Sequence, residues 1–130
     1  MNATTSQSHE YGITLLRLSL GAMWLSHGLL KLFVYTLPGT AQFFESLGIP
    51  GWLAYPVVGA EIIAGISLIL GVFSRQVSLI MVPLLIAATM PHIANGWLFS
   101  AAGGGWEYPV FLIISSVALY LLGDGRFNLI

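Results

Sequence analysis

The chain has 130 residues, of which 57% are hydrophobic and 7% charged, with a formal net charge of −1 and no cysteine. With a mean hydropathy of +0.89, so few charges cannot cover a water-facing surface, which excludes a soluble globular domain. Four basic residues leave no electrostatic footprint for nucleic acid, and the lack of thiols excludes disulfide exchange and thiolate metal sites.

A helix needs about 20 apolar residues to cross the hydrocarbon core of a bilayer. Segments near 12–33, 53–73, 76–95 and 107–123 meet that requirement, which predicts an all-α integral membrane four-helix bundle, one transmembrane domain over 1–130. The first ten residues are polar and carry neither a basic n-region nor a small-residue cleavage site. The first hydrophobic segment is therefore expected to stay as helix one, behind a tail that includes His9. On that helix Arg17, Gly21, Trp24, Gly28 and Lys31 recur at alternating spacings of four and three, the seam of a packed helix, with His27 one turn before Lys31. The two glycines permit close backbone approach.

In the 34–52 connection Phe43, Phe44 and Leu47 share one face of a short helix that Gly48 and Pro50 stop. This is expected to be an amphipathic interfacial helix in the first outer loop, with Glu45 on its solvated face. Helix two is free of formal charge except for Glu61, which heads a seam through Gly65 and Leu68. Helix three carries Ser78, Met81, Leu85, Ala88, His92 and Asn95 on one seam, and Pro83 and Pro91 should bend it. The glycine-rich 101–106 linker reads as a flexible turn, and the flanking Trp97, Phe99, Trp106 and Tyr108 suit an aromatic belt. Glu107, Phe111, Ile114 and Ala118 define the expected seam of helix four, and Asp124 falls in the turn that ends it.

Arg17, Arg75 and Arg126 lie on one face of such a bundle. The positive-inside rule makes that face cytoplasmic, with both termini inside. Arg17 is expected to snorkel to this inner surface and Arg75 and Arg126 to set topology; Lys31, at the outer end of helix one, departs from the bias. The implied location is the prokaryotic cytoplasmic (inner) membrane.

Depth sharpens the argument. His27, Lys31, Glu61, His92 and Glu107 come from four helices yet fall at similar depth in the outer half. A charged side chain near the bilayer centre costs roughly 2.5 to 3.5 kcal/mol, so one shared polar pocket is the economical expectation, with Trp24 available to stack on a ring. Structural pairing, Lys31 with Glu61 and His92 with Glu107, is the alternative role for the same residues. His27 and His92, alone or with Glu61 and Glu107, could in principle ligate haem or a divalent metal, but no recognised ligand motif surrounds them and no metal is expected.

These residues also carry a resemblance. The glycines leading to Gly28-Leu29-Leu30-Lys31, then Phe43-Phe44, Leu47-Gly48-Ile49-Pro50 and Glu61 running to Gly65 and Gly71 stand in an order shared with a known group. So do Arg75, His92, Glu107 and the closing Gly123-Asp124-Gly125-Arg126. Over about 13–126 the chain resembles the DoxX family of small four-helix membrane proteins. The resemblance implies association with membrane oxidoreductase systems, some of them quinone-linked.

Four function classes stay open. The first is a redox-associated membrane subunit, in which His27 or His92 binds a quinone oxygen, Glu61 or Glu107 relays protons and Trp24 or Trp97 stacks on the ring. No flavin, nicotinamide or iron–sulfur motif is visible, so a partner protein would supply the electrons, and whether the chain is itself an enzyme is left open. The second is a binding or assembly module with structural buried charges. A small transporter and a metal or haem protein complete the set. Lipid, an apolar small molecule such as a quinone, a protein partner and a second copy are the expected associates.

Overall fold

The computed structural model describes residues 3–98 and 104–125, with side chains from residue 7 onward. Helix α1 runs Ala3–Leu29 and continues into a π-helical turn, Leu30–Val34. The short α2, Leu37–Ser46, precedes a 3₁₀ turn at Gly51–Leu53 that leads into α3, Ala54–Leu70. A third rod is built from α4, Ser74–Ile80, α5, Val82–Thr89, and a 3₁₀ turn, Met90–Asn95. Helix α6, Glu107–Leu122, closes the bundle. The described residues contain no strand.

Three of these rods, Gln7–Val34, Gly51–Leu70 and Ser74–Asn95, are long and apolar enough to cross a membrane, and α6 is a shorter apolar helix. No more than a third of each span's most apolar window is buried within the chain. Most of the apolar surface, including Leu15, Phe33, Ile63, Ile80 and Leu121, is therefore turned outward, as contact with lipid requires. The chain is an all-helical integral membrane protein.

Local chemistry explains the breaks. Gly71 takes the left-handed conformation (φ 75°) that ends α3, and its N–H and that of Val72 both donate to the Ser67 carbonyl. Pro83 offers no N–H to Leu79, and the helix of the third rod is interrupted at Met81; Met81 N–H still donates to Val77 (3.1 Å) and Leu85 N–H to Met81 (3.2 Å). Pro91 coincides with the change to 3₁₀ geometry. The polar N-terminal residues are not a tail: α1 begins at Ala3, because no proline stands there to stop it and a solvated turn needs no apolar face.

Packing centres on α1 against α3, with α4 and α5 against α6. Where α1 and α3 cross, Gly65 faces the Leu25 backbone and Gly21 faces Ile69 and the Gly65 carbonyl so closely that a Cβ on either would lie within 3.0 Å of them. The expected α1 and α3 seams are observed: Arg17, Gly21, Trp24 and Gly28 are buried, as are Glu61, Gly65 and Leu68. On the third rod the seam holds through Ser78, Met81 and Leu85, then passes to Thr89 while Ala88 is exposed. The change of phase follows the interruption at Met81.

The expected seam of helix four is wrong. Phe111 and Ile114 are 65% and 62% exposed, and the buried face is Pro109, Leu112, Ser115, Ser116 and Leu119. Small serines let α6 approach α4, and the bulky residues turn away.

At the end of the bundle that holds both chain ends, two arginines tie α6 down. Arg17 does not snorkel: it is 1% exposed and donates through Nη1 to the Asp124 carbonyl at 2.6 Å. Satisfying carbonyls at the C-terminal end of α6 places its positive charge where the helix dipole favours a cation. Arg75 Nε donates to the Tyr120 carbonyl at 2.8 Å and its guanidinium stands over the Tyr120 ring. Arg126, Phe99 and the 99–103 part of the glycine-rich linker lie outside the described residues.

Candidate functional site

The opposite end of the bundle carries the candidate chemistry. Gly28 lets α1 lie against Glu61 and Ile62 of α3, and one turn later Lys31 enters the π-helical stretch. Its Nζ donates to Glu61 Oε1 at 2.5 Å, with the carboxylate side chain 4% and the lysine side chain 28% exposed. The second carboxylate oxygen, Oε2, is buried and has no hydrogen-bond partner among the described residues. An acceptor buried that way costs about 1 to 3 kcal/mol or more when left unsatisfied.

The backbone around the pair is unusual. A π turn is rare and recurs at functional sites, and nothing in the residue types of Leu30–Val34 announces one. Two residues on, Thr36 holds a positive φ of 66°, a strained conformation for a β-branched residue. Its hydroxyl accepts the Gly39 N–H and so caps α2. The buried Thr40 hydroxyl donates to the Thr36 carbonyl at 2.9 Å and reaches the Lys31 carbonyl at 3.5 Å. Lys31 is thus held to α3 by its side chain, with α2 close to its backbone. The face of α2 that carries Phe43 and Leu47 stays exposed, which suits a helix lying at the membrane interface.

His27, Leu30, Lys31 and Tyr35 line a pocket of about 200 Å³ beside the pair. That is below the roughly 300 Å³ at which drug-sized ligands are enclosed, so it suits a polar head group whose remainder lies outside. The His27 ring also approaches Tyr108 of α6, with centroids 6.5 Å apart.

The six sequence-selected residues do not form one pocket. Lys31 meets Glu61, and His27 shares a pocket with Lys31. Trp24 is 3% exposed and packed among Leu20, Ala64, Leu68, Met81, Leu85 and Leu112, so it belongs to the core rather than to a ring-stacking wall. Its indole N–H is buried without a hydrogen-bond partner among the described residues. His92 lies in the 3₁₀ turn beside Gly104. Glu107 faces a second concavity of about 720 Å³ with Trp97, Tyr108, Val110, Phe111 and Ile114, which shares no lining residue with the first. The physical reason is the phase of α6, which carries the Glu107, Phe111, Ile114 stripe away from the core. Nor are His27, His92, Glu61 and Glu107 gathered as metal ligands: no three of His, Cys, Asp and Glu converge among the described residues.

The DoxX family model matches residues 12–102. The chain is 33% identical over 119 residues, 92% of its length and 84% of the other protein, to "Putative oxidoreductase CatD" of Bacillus subtilis (strain 168). No solved structure matches the chain significantly. The chain belongs to the DoxX family of membrane proteins.

Proposed function

We propose that this protein is the membrane subunit of a redox system, and that Lys31, Glu61 and His27 receive the polar end of an apolar substrate of the quinone class. The reading is carried by Glu61: a buried carboxylate held by Lys31 through one oxygen, with the other left without a hydrogen bond among the described residues. Lys31 and His27 supply hydrogen-bond donors for an acceptor oxygen at the edge of the 200 Å³ pocket. A quinone, when bound, would supply the two-electron chemistry. Glu61 then holds or returns a proton at Oε2, while Oε1 stays on Lys31. Electrons come from a partner protein, since no flavin, nicotinamide or iron–sulfur motif occurs in the sequence. The relative's name as an oxidoreductase supports the redox class. The basic end, with Arg17 and Arg75, faces the cytoplasm of a prokaryotic cell and the Lys31 end faces away from it.

A second reading, a binding or assembly module with a structural ion pair, is favoured by one observation: Glu61 itself lines neither described pocket. Exchanging the charges, Lys31→Glu with Glu61→Lys, separates the two. Native mass spectrometry of the detergent-purified protein with lipid extraction and an ultraviolet–visible spectrum should find a co-purifying quinone in the native chain. It should be absent from Glu61→Gln and from the exchanged pair. A native chain that retains only a second polypeptide, with the exchanged pair retaining it equally, establishes the assembly role instead.

A further inference from the structure

The two arginines at the end of α6 are used differently. Arg17 is buried, with Nη1 on the Asp124 carbonyl. Arg75, in the first turn of α4, is exposed. Its Nε donates to the Tyr120 carbonyl at 2.8 Å, and its guanidinium carbon stands 5.3 Å from the centre of the Tyr120 ring. A guanidinium carries five N–H donors in one plane. The carbonyl takes the one on Nε, and among the described residues no carboxylate pairs with the other four. An arginine at a membrane surface ordinarily swings on a long stem and loses rotamer freedom when a ligand orders it. At Arg75 the carbonyl and the ring already fix the plane. What remains is the fork of Nη1 and Nη2, which matches two oxygens of one phosphate or carboxylate. Apolar surface runs on from it. Leu79 follows Arg75 by one turn of α4, Val117 precedes Tyr120 by one turn of α6, and these two helices pack together. Both side chains are exposed, and both lie about 5 Å from the arginine toward the middle of the bundle.

We propose that Arg75 is the head-group site for one anionic phospholipid of the phosphatidylglycerol type, with its phosphate on the fork of Nη1 and Nη2 and an acyl chain along Leu79 and Val117. Charge chooses the occupant. The phosphodiester of such a lipid is an anion with two free oxygens and no cation beside it. A zwitterionic lipid brings an ammonium toward the arginine. A quinone head is uncharged, so this site stands apart from the one at Lys31 and Glu61 and holds whether or not that one binds a quinone. Free phosphate fits the fork but has nothing to lay on Leu79 and Val117. A second copy docked by two-fold symmetry about Arg75 would bring the arginine toward its own image, a like-charge contact.

The test is native mass spectrometry of the full-length protein in a non-ionic detergent with equal amounts of phosphatidylglycerol, phosphatidylethanolamine and phosphatidylcholine. The native chain should retain phosphatidylglycerol about fivefold better than either zwitterionic lipid, the ratio that one arginine near a membrane surface supplies. Arg75→Gln should bring the three lipids to parity. Arg75→Lys keeps the charge without the planar fork and should lose more than half of the preference. Inorganic phosphate should displace no more lipid than chloride does at equal ionic strength. The thermal unfolding midpoint of each variant reports that it is folded; if Arg75→Gln is not, Tyr120→Leu, which keeps the carbonyl and every charge but removes the ring, should lower the preference in its place. Equal retention by the native chain, an unchanged preference in Arg75→Gln, or a full preference in Arg75→Lys or in Tyr120→Leu overturns the proposal. So does specific displacement by inorganic phosphate, which would give the fork to the free anion.

Discussion

At the scale of single residues, the two members of the ion pair are not equivalent. Glu61 is sequestered, whereas Lys31 keeps 28% of its side chain exposed at the end of a flexible stem. Removing the lysine strands a buried carboxylate; removing the carboxylate leaves an ammonium that can reach water or head groups. Lys31→Met should therefore cost about 3 kcal/mol, the low end for breaking a buried pair, and Glu61→Gln about 1 kcal/mol, nearer to the value of an exposed one. Denaturant unfolding in detergent, followed by circular dichroism, measures both; equal losses would mean that Lys31 is as confined as its partner. This pair was legible because Glu61 is the one charge in its span, and a lone charge there demands a partner. Arg17 was not legible. Its position near the end of a span fits snorkelling as well as burial, and the carbonyl it caps comes from Asp124, 107 positions away.

At the scale of elements, the α1–α3 crossing depends on glycine, but not on every glycine. A Cβ at Gly65 would lie 2.6 Å from the Leu25 backbone nitrogen, whereas at Gly59, on the same helix, nothing stands within 4 Å. Gly65→Ala should push α1 off α3 and cost about 2 kcal/mol, with a loss of any function that needs Lys31 on Glu61. Gly59→Ala should be neutral or stabilise by about 0.5 to 1 kcal/mol, because alanine loses less backbone freedom in a helix. Opposite signs in unfolding experiments on the two variants are the expected result. A similar loss in both would place the closest approach elsewhere. The same physics explains which seams could be read in advance. On α1 and α3, Gly21, Gly28 and Gly65 mark the packed face. On α6 the sequence is apolar all round, and taking Glu107 as the inward marker gave the wrong phase; Ser115 and Ser116, the small residues, were the better signal. The π turn at Leu30–Val34 and the strained Thr36 had no signal in residue type, since both follow from how α1 must meet α2.

At the scale of the whole molecule, the hydrogen bonds define two ends. Arg17 to Asp124 and Arg75 to Tyr120 join the middle of α1, the first turn of α4 and the end of α6. Thr40 at the Thr36 carbonyl and Trp106 at Gly96 belong to the other end. Because the chain contains no cysteine, single cysteines can be placed without background. Ser8, Gln76 and Gln42 are exposed and take no part in the contacts described above. An impermeant maleimide should label Gln42→Cys in intact cells, and Ser8→Cys and Gln76→Cys only in inverted vesicles, if the arginine-bearing end faces the cytoplasm. The reverse pattern would keep the bundle and invert its orientation, which would move the Lys31 and Glu61 pair to the cytoplasmic side. Ser8 and Gln76 labelled from opposite sides would break the architecture itself, because α1 and α4 are each tied to the end of α6 by an arginine hydrogen bond and cannot open onto different compartments.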